Sequence, residues 1–381
     1  MKITAVITQK NEGAFLLEWI AYHKVIGFSN IVVLSNDCED GSDELLDQLA
    51  ENGELIHVRN DGPYDDRGIQ FAALKLADKQ LEVKDADWIM HLDIDEFLNI
   101  HVGDGKIIDL ISALPDADAI ALTWRMFGNN GIIEFKDRWI TDQFIRAAPK
   151  TMHWPWRAFM IKTLYRNNGM YGKLGVHRPK QPDSTRVKEA KWYSGSGHAL
   201  PNAFKTKQLF SDYTQNNYEL AQINHYALGA MQSFVLKAIR GRSGSSYQGL
   251  NMDYWCDRNF CQEEDKTIQR HALEMRAELE RLCAHDNIKE FHENSVTWRE
   301  NAFITAMRDE EYRALMGRLL MTPPSQSMPA RFAAQLRKNH RIAAKLAFWL
   351  LSYPLLATFS VPIGVSSCGI MVFLNPVTYR D

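Results

Sequence analysis

The chain has 381 residues, 45% hydrophobic and 24% charged, with a formal net charge of −3. This is ordinary globular composition, enough for a sizeable core and one or two domains, and the near-neutral balance implies no nucleic-acid partner. The five cysteines (Cys38, Cys256, Cys261, Cys283, Cys368) are odd in number and form no CxxC pair, which excludes a disulfide framework and fits free thiols in a reducing compartment.

The first six apolar positions are too few for a signal peptide, so the body is expected in the cytoplasm. Residues 2–126 then alternate strand and helix patterns. ITAVIT (3–8) is a β-branched run; AFLLEWIAYHKVIGF (14–28) has helical spacing and reaches Gly27; NIVVLS (30–35) is a second strand. SDELLDQLAENG (42–53) opens on Ser42, carries acids in its first turn and stops at Gly53, the signature of a helix. ELIHVR (54–59), GIQFAALKLADKQL (68–81), ADWIMHLDI (86–94) and DAIALTWRMF (118–127) predict strand, helix, strand, strand. Apolar strands separated by helices imply an α/β fold whose sheet is covered on both faces. Residues 128–225 are irregular and rich in Trp, Arg, His, Pro and Gly, as loops that hold a substrate are. Residues 226–321 read as helical, and TPPSQSMP (322–329) as a linker.

The remainder, 330–381, is a basic, hydrophobic tail. From Tyr312 to Arg380 there are eight Lys or Arg and no Asp or Glu, and Leu346–Tyr379 is uncharged. That length suffices to cross a bilayer, but Pro354, Pro362, Gly364 and Gly369 interrupt it. Three readings stay open: a spanning helix, a basic helix lying on anionic lipid ahead of a hydrophobic tail, or a helix packed on the body. The first two put an anionic membrane surface among the partners and the protein at the inner face of the cell membrane.

HLDIDEF (91–97) places Asp93, Asp95 and Glu96 directly after an apolar run. In a parallel α/β sheet, ligands gather at the carboxyl ends of strands. If the backbone stays extended, Asp93 and Asp95 leave the same face and both reach one Mn²⁺ or Mg²⁺. Such ions are held by one or two carboxylates plus substrate phosphates, and they neutralise the charge of a departing diphosphate. Glu96 is expected to support this site rather than to ligate.

Four motifs extend the pattern: Lys10-Asn11-Glu12, Asn36-Asp37 with Asp40-Gly41-Ser42, Asp93-Ile94-Asp95-Glu96-Phe97, and Asn224-His225-Tyr226. Together, over about residues 1–265, they resemble the family 2-type glycosyltransferases, and within them a bacterial branch akin to glycosyltransferase family 92. The resemblance implies a GT-A fold: a mixed, mostly parallel, Rossmann-like sheet flanked by helices. It divides the chain into a nucleotide-sugar half (1–127), an acceptor half (128–225), a helical extension (226–321) and the tail (330–381). It implies transfer of a sugar from a nucleotide-diphosphate donor to a saccharide or lipid-linked acceptor, in surface polysaccharide or glycolipid synthesis. Carried over, Thr8, Glu12 and Asp37 would face the nucleotide, with Gln70, Arg67 and Asp93 beside them. His225 would complete a metal site with Asp93 and Asp95. Lys237, Arg240 and Arg242 are candidates for phosphate, or else a solvated helix end. Trp124, Trp139, Trp154, Trp156 and Trp192 offer faces for sugar rings, or core positions, and His177, Arg178 and His198 offer donors. An inverting transfer needs a carboxylate base; Glu134, Asp142 and Asp183 are in the right part of the chain, with Glu134 and Asp183 the named candidates, whereas the pair Glu264 and Asp265 comes too late. A metal-dependent nucleotidyltransferase or phosphatase, and a non-catalytic carbohydrate-binding relative, are the alternatives. The absence of a G-x-G-x-x-G after any strand disfavours a dehydrogenase.

Overall fold

The computed structural model describes residues 1–64, 68–241, 250–339 and 342, and of Trp156 and Arg157 the backbone alone. Arg67, Arg242, Cys368, the Trp156 side chain and the stretch Leu346–Tyr379 lie outside the described residues. The chain divides into two units, Met1–Pro329 and Ala330–Asp381. The second is helical over 330–339.

The first unit is built on nine strands: β1 (Ile3–Gln9), β2 (Asn30–Ser35), β3 (Ile56–Arg59), β4 (Trp88–Asp93), β5 (Glu96–Ile100), β6 (Ala119–Met126), β7 (Ile161–Arg166), β8 (Trp192–Ser194) and β9 (Ala221–His225). Their order is β3-β2-β1-β4-β7-β6-β9-β5, with β8 beside the start of β6. β1, β2, β3 and β4 are mutually parallel, and β8 and β9 run parallel to β6. β7 is antiparallel to both β4 and β6, and β5 is antiparallel to β9. The mixed, mostly parallel sheet flanked by helices that the resemblance implies is therefore the architecture observed. The antiparallel strand β7 comes from the stretch that the sequence left irregular.

β1 shows why the sheet must be covered twice. Successive side chains leave opposite faces: Ile7 enters one apolar cluster with Leu16, Trp19 and Ile20 of α1 (Gly13–Val25), and Val6 another with Ala73 and Leu74 of α3 (Ile69–Ala77). α2 (Ser42–Glu51) follows β2. The predicted helix 14–28 ends early because Gly27 takes a φ of 108°, open to glycine at little cost. α1 also fixes the strand that follows the carboxylates: Trp19 Nε1 donates to Glu96 O at 2.9 Å, and Tyr22 Oη to Leu98 O at 2.7 Å. The helical extension supplies α4 (Met231–Arg240), α5 (Ala272–Cys283), α6 (Ile288–Ala306) and α7 (Glu310–Met321). α5 and α6 pack on α1. Gly13, the first residue of α1, permits that approach: a Cβ there would stand 2.7 Å from Ser295 Cβ on α6.

Candidate active site

Parallel strands bring their carboxyl ends to one rim. In register, Thr8 of β1 stands beside Leu34 of β2 and Asp93 of β4. Past β2, Asp37 holds a φ of 47° and accepts a hydrogen bond from Tyr64 Oη at 2.6 Å. Gln70, entering α3, donates Nε2 to Asp93 Oδ1 at 3.1 Å. Thr8, Asp37, Gln70 and Asp93 thus lie along a single edge.

The extended backbone expected across Asp93 and Asp95 is not present. β4 ends at Asp93, Ile94 and Asp95 form a turn, and β5 leaves to pair with β9 on the far side of the sheet. The two carboxylates consequently have separate partners. Asp93 Oδ2 accepts from Lys162 Nζ at 2.9 Å. Asp95 Oδ2 accepts from Lys237 Nζ at 2.5 Å, and Asp95 Oδ1 lies 3.7 Å from His225 Nε2. Among the described residues, no three His, Cys, Asp or Glu side chains converge as a metal-holding set.

Beneath the turn is a buried cluster that the sequence did not reveal. Lys162, on β7, is fully buried, with Nζ 3.1 Å from Glu96 Oε2 as well as 2.9 Å from Asp93. Glu96 is equally buried, accepts from Asp93 N at 2.9 Å and from Trp124 Nε1 at 2.6 Å. Burial pushes Glu96 up to about 8, with Lys162 opposing and the neighbouring aspartates adding to the rise. Burial would raise Asp93 too, but Lys162 holds it below its ordinary value. One cation between two carboxylates is best accommodated when Asp93 carries the charge and Glu96 the proton. Glu96 supports the turn through Asp93 N.

Asp95 stays ionised for a parallel reason. Burial opposes the charge, but Lys237 above all holds the carboxyl well below the usual range. His225 itself is pressed to neutrality, its pKa lowered to about 3 by burial. Its ring lies against Trp124, with centroids 4.2 Å apart, and its Nδ1 is buried without a partner among the described residues. An ionised carboxylate oxygen and a neutral imidazole nitrogen are donors that could contribute to holding a divalent ion, but with Lys237 on the carboxylate the two do not by themselves make a metal site.

Lys237 and Arg240 are not a solvated helix end. Arg240, on α4, pairs with the Glu12 carboxylate and donates to Lys10 O at 2.6 Å. A second arginine, Arg299 of α6, reaches Glu12 Oε2 at 3.5 Å. Glu12 is accordingly engaged by two guanidinium groups. Arg299 was not suggested by the sequence; it lies 287 residues from its partner in an ordinary polar helix.

The remaining candidates are dispersed. Asp183 accepts from Thr185 N and Oγ1 at 2.8 and 2.6 Å, closing its own turn. Glu134 is exposed, one residue before Phe135, which lines a cavity beside Asp95. Asp142 lies in a short helix at 140–143. Asp265 is tied to Arg125 at 2.5 Å and Gln222 at 2.9 Å, and Glu264 to Lys266 at 2.9 Å. Trp192 is a core residue, its Nε1 on Tyr171 Oη at 2.9 Å, and Trp124 is committed to Glu96 and His225; neither offers a face to a sugar. Trp139 and Trp154 are half-buried. His177 has its Nδ1 3.0 Å from Ile161 O, Arg178 is buried with Nη1 on Pro179 O at 3.2 Å, and His198 is exposed. Cys38, Cys256, Cys261 and Cys283 are free thiols.

Residues 7–247 match the model of glycosyltransferase family 92. The chain belongs to glycosyltransferase family 92. Relatives include a family 92 protein of Oryza sativa subsp. japonica, 26% identical over 149 residues, covering 37% of this chain and 24% of that protein. A family 92 protein of Ricinus communis is 28% identical over 96 residues, covering 25% and 16%. The match therefore spans about a quarter or less of these relatives' own length. Both are plant proteins, and they lend the expected bacterial branch no support. Among solved structures, S. aureus TarS 1-349 in complex with UDP covers 45% of this chain and 50% of its own, with 16% identity and a TM-score of 0.30. M. tuberculosis glucosyl-3-phosphoglycerate synthase with Mg²⁺ and UDP covers 32% and 43%, with 17% identity and a TM-score of 0.23. Likeness at that level is too slight to build on. Among the described residues of this family 92 chain, no helix is long and apolar enough to cross a membrane.

Proposed function

We propose that this family 92 member transfers a sugar from a nucleotide-diphosphate donor to a saccharide or lipid-linked acceptor, with Asp95 and His225 among the ligands of Mn²⁺ or Mg²⁺. The observation that carries the reading is the rim itself: Thr8, Asp37, Gln70 and Asp93 along one strand edge, with Asp95, His225 and Lys237 at its end. Asp93 and Asp37 are acceptors suited to ribose hydroxyls or a base N–H, and Gln70 and Lys162 hold Asp93 in place for that role. The bound cation would neutralise charge on the leaving diphosphate. Lys237, already beside Asp95, adds a fixed positive charge where negative charge develops. Glu12 is the anchor of Arg240 and Arg299 rather than a nucleotide contact. Of the candidate bases, Asp183 is closed in its turn, whereas Glu134 is exposed and precedes Phe135 of the cavity wall, so Glu134 is taken as the base. The basic tail beyond residue 330 is taken to meet an anionic membrane, which places the work at the cytoplasmic face, in glycolipid or polysaccharide synthesis.

The test is a thermal shift with UDP, GDP and CDP, with Mn²⁺ against Mn²⁺ alone. A nucleoside diphosphate should raise the melting temperature only with the metal, and at a hundredfold excess over Kd the gain is about 2.7 kcal/mol. Asp95→Asn and His225→Ala should each abolish that shift and turnover of nucleotide sugars, with far-ultraviolet circular dichroism unchanged. An equal response to inorganic phosphate would favour a phosphatase, and normal activity in Asp95→Asn would end the assignment.

A further inference from the structure

The cavity beside Asp95 measures about 50 Å³ and is walled by Phe15, Phe135 and Phe144. It has room for a group the size of a few water molecules. Lys237 answers Asp95 at 2.5 Å, and Arg240 and Arg299 share Glu12, with Arg240 the closer of the two. Arg299 is the least fully satisfied of these cations. It lines the cavity, is 6% exposed, and among the described residues finds only Glu12 Oε2, at the long distance of 3.5 Å. Its Nε is buried with no partner among the described residues. The rings of Phe15 and Phe135 lie 4.5 and 5.3 Å from its guanidinium carbon, holding the side chain in place. Lys136, at the same cavity, is exposed and has no acid partner among the described residues. A buried cation short of acceptors is costly, and the fork of a guanidinium matches the oxygens of a phosphate or carboxylate.

We propose that this cavity receives an oxyanion carried by the acceptor, so that the acceptor is a phosphate- or carboxylate-bearing saccharide, with Arg299 gripping the group and Lys136 at the mouth. The inference rests on the transferase reading above, since it takes the cavity next to Asp95 as the acceptor side. The apolar walls contact the sugar edge next to the charged group, and the reacting hydroxyl faces Asp95.

The experiment is calorimetry on the full chain with UDP and Mn²⁺ present, so that the diphosphate position is filled. The probes are glucose 6-phosphate, glucuronate and neutral glucose. One or both anions should bind roughly tenfold or more tightly than glucose, and which of them binds distinguishes phosphate from carboxylate. Arg299→Lys should weaken the anion roughly tenfold, and Lys136→Ala a few-fold, each leaving UDP affinity unchanged. Glucose binding as well as the anions, no anion binding at all, or unchanged anion affinity in Lys136→Ala would overturn the proposal. Lys136 is exposed, so its variant decides the matter even if Arg299→Lys fails to fold. Failure of UDP, GDP and CDP alike to bind sinks the donor reading. Intact UDP binding without anion preference sinks this inference alone.

Discussion

Lys162 is the residue on which the site's geometry turns. It sits between Asp93 and Glu96, and the charge on Asp93 would be stranded without it. Lys162→Met should cost about 3–5 kcal/mol, the penalty of breaking a buried pair by removing one partner, read from urea unfolding. Adding Glu96→Gln to that variant should restore part of the loss, because one buried acid is then gone. None of this was legible locally. Lys162 follows Asp93 by 69 residues and is a lone cation in FMIKTLYR, whereas Asp93, Asp95 and Glu96 announce themselves by crowding at a strand end. Asp37 and Gln70 were legible through motif and position; Arg299 had neither.

Elements divide in the same way. β1, β2 and β4, with α1 and α2, follow from apolar runs and spacing because each is long enough to show its period. β7 does not, because its pairing with β4 and β6 is non-local and the surrounding loops hide a short run. Two contacts of α1 give element-scale predictions. Gly13→Ala puts a methyl into Ser295 and should destabilise by about 1–3 kcal/mol, as overpacking does. Ser295→Gly in the same chain should recover most of it, and a double-mutant cycle by thermal unfolding checks this. Glu18 joins α1 to the start of the short helix at 140–143, accepting from Ile140 N at 2.7 Å, Thr141 N at 3.0 Å and Thr141 Oγ1 at 2.9 Å. Burial raises it from 4.5 to about 7, against those hydrogen bonds. A carboxyl raised on folding contributes its stability below the unfolded value and loses it as pH climbs through the folded one. The loss runs from pH 4.5 to about 7 and amounts to about 3 kcal/mol. Glu18→Gln, which does not titrate, should flatten that decline in unfolding free energy measured across the same interval.

At the scale of the whole molecule, charges supplied by the last third of the first unit complete carboxylates supplied by its first third. Lys237, Arg240 and Arg299 come from α4 and α6, and meet Asp95 and Glu12. The family motifs cover the acids, and periodicity shows the helices, but which helical cations meet which acids is set by the packing of α6 on α1 and of α4 on α6. The tail beyond Pro329 is a separate unit, so its removal should leave the UDP and Mn²⁺ thermal shift of the remainder unchanged. The same deletion should abolish co-sedimentation with phosphatidylserine vesicles. Retained vesicle binding would free the membrane assignment from the tail.

The sealed amine of Lys162 has one last consequence. An acylating reagent in solution cannot touch it while the sheet is closed, however long the incubation, and every other amine on the surface will be labelled first. Its modification, followed by peptide mass spectrometry, therefore clocks how often the whole core opens, and a bound donor should slow that clock.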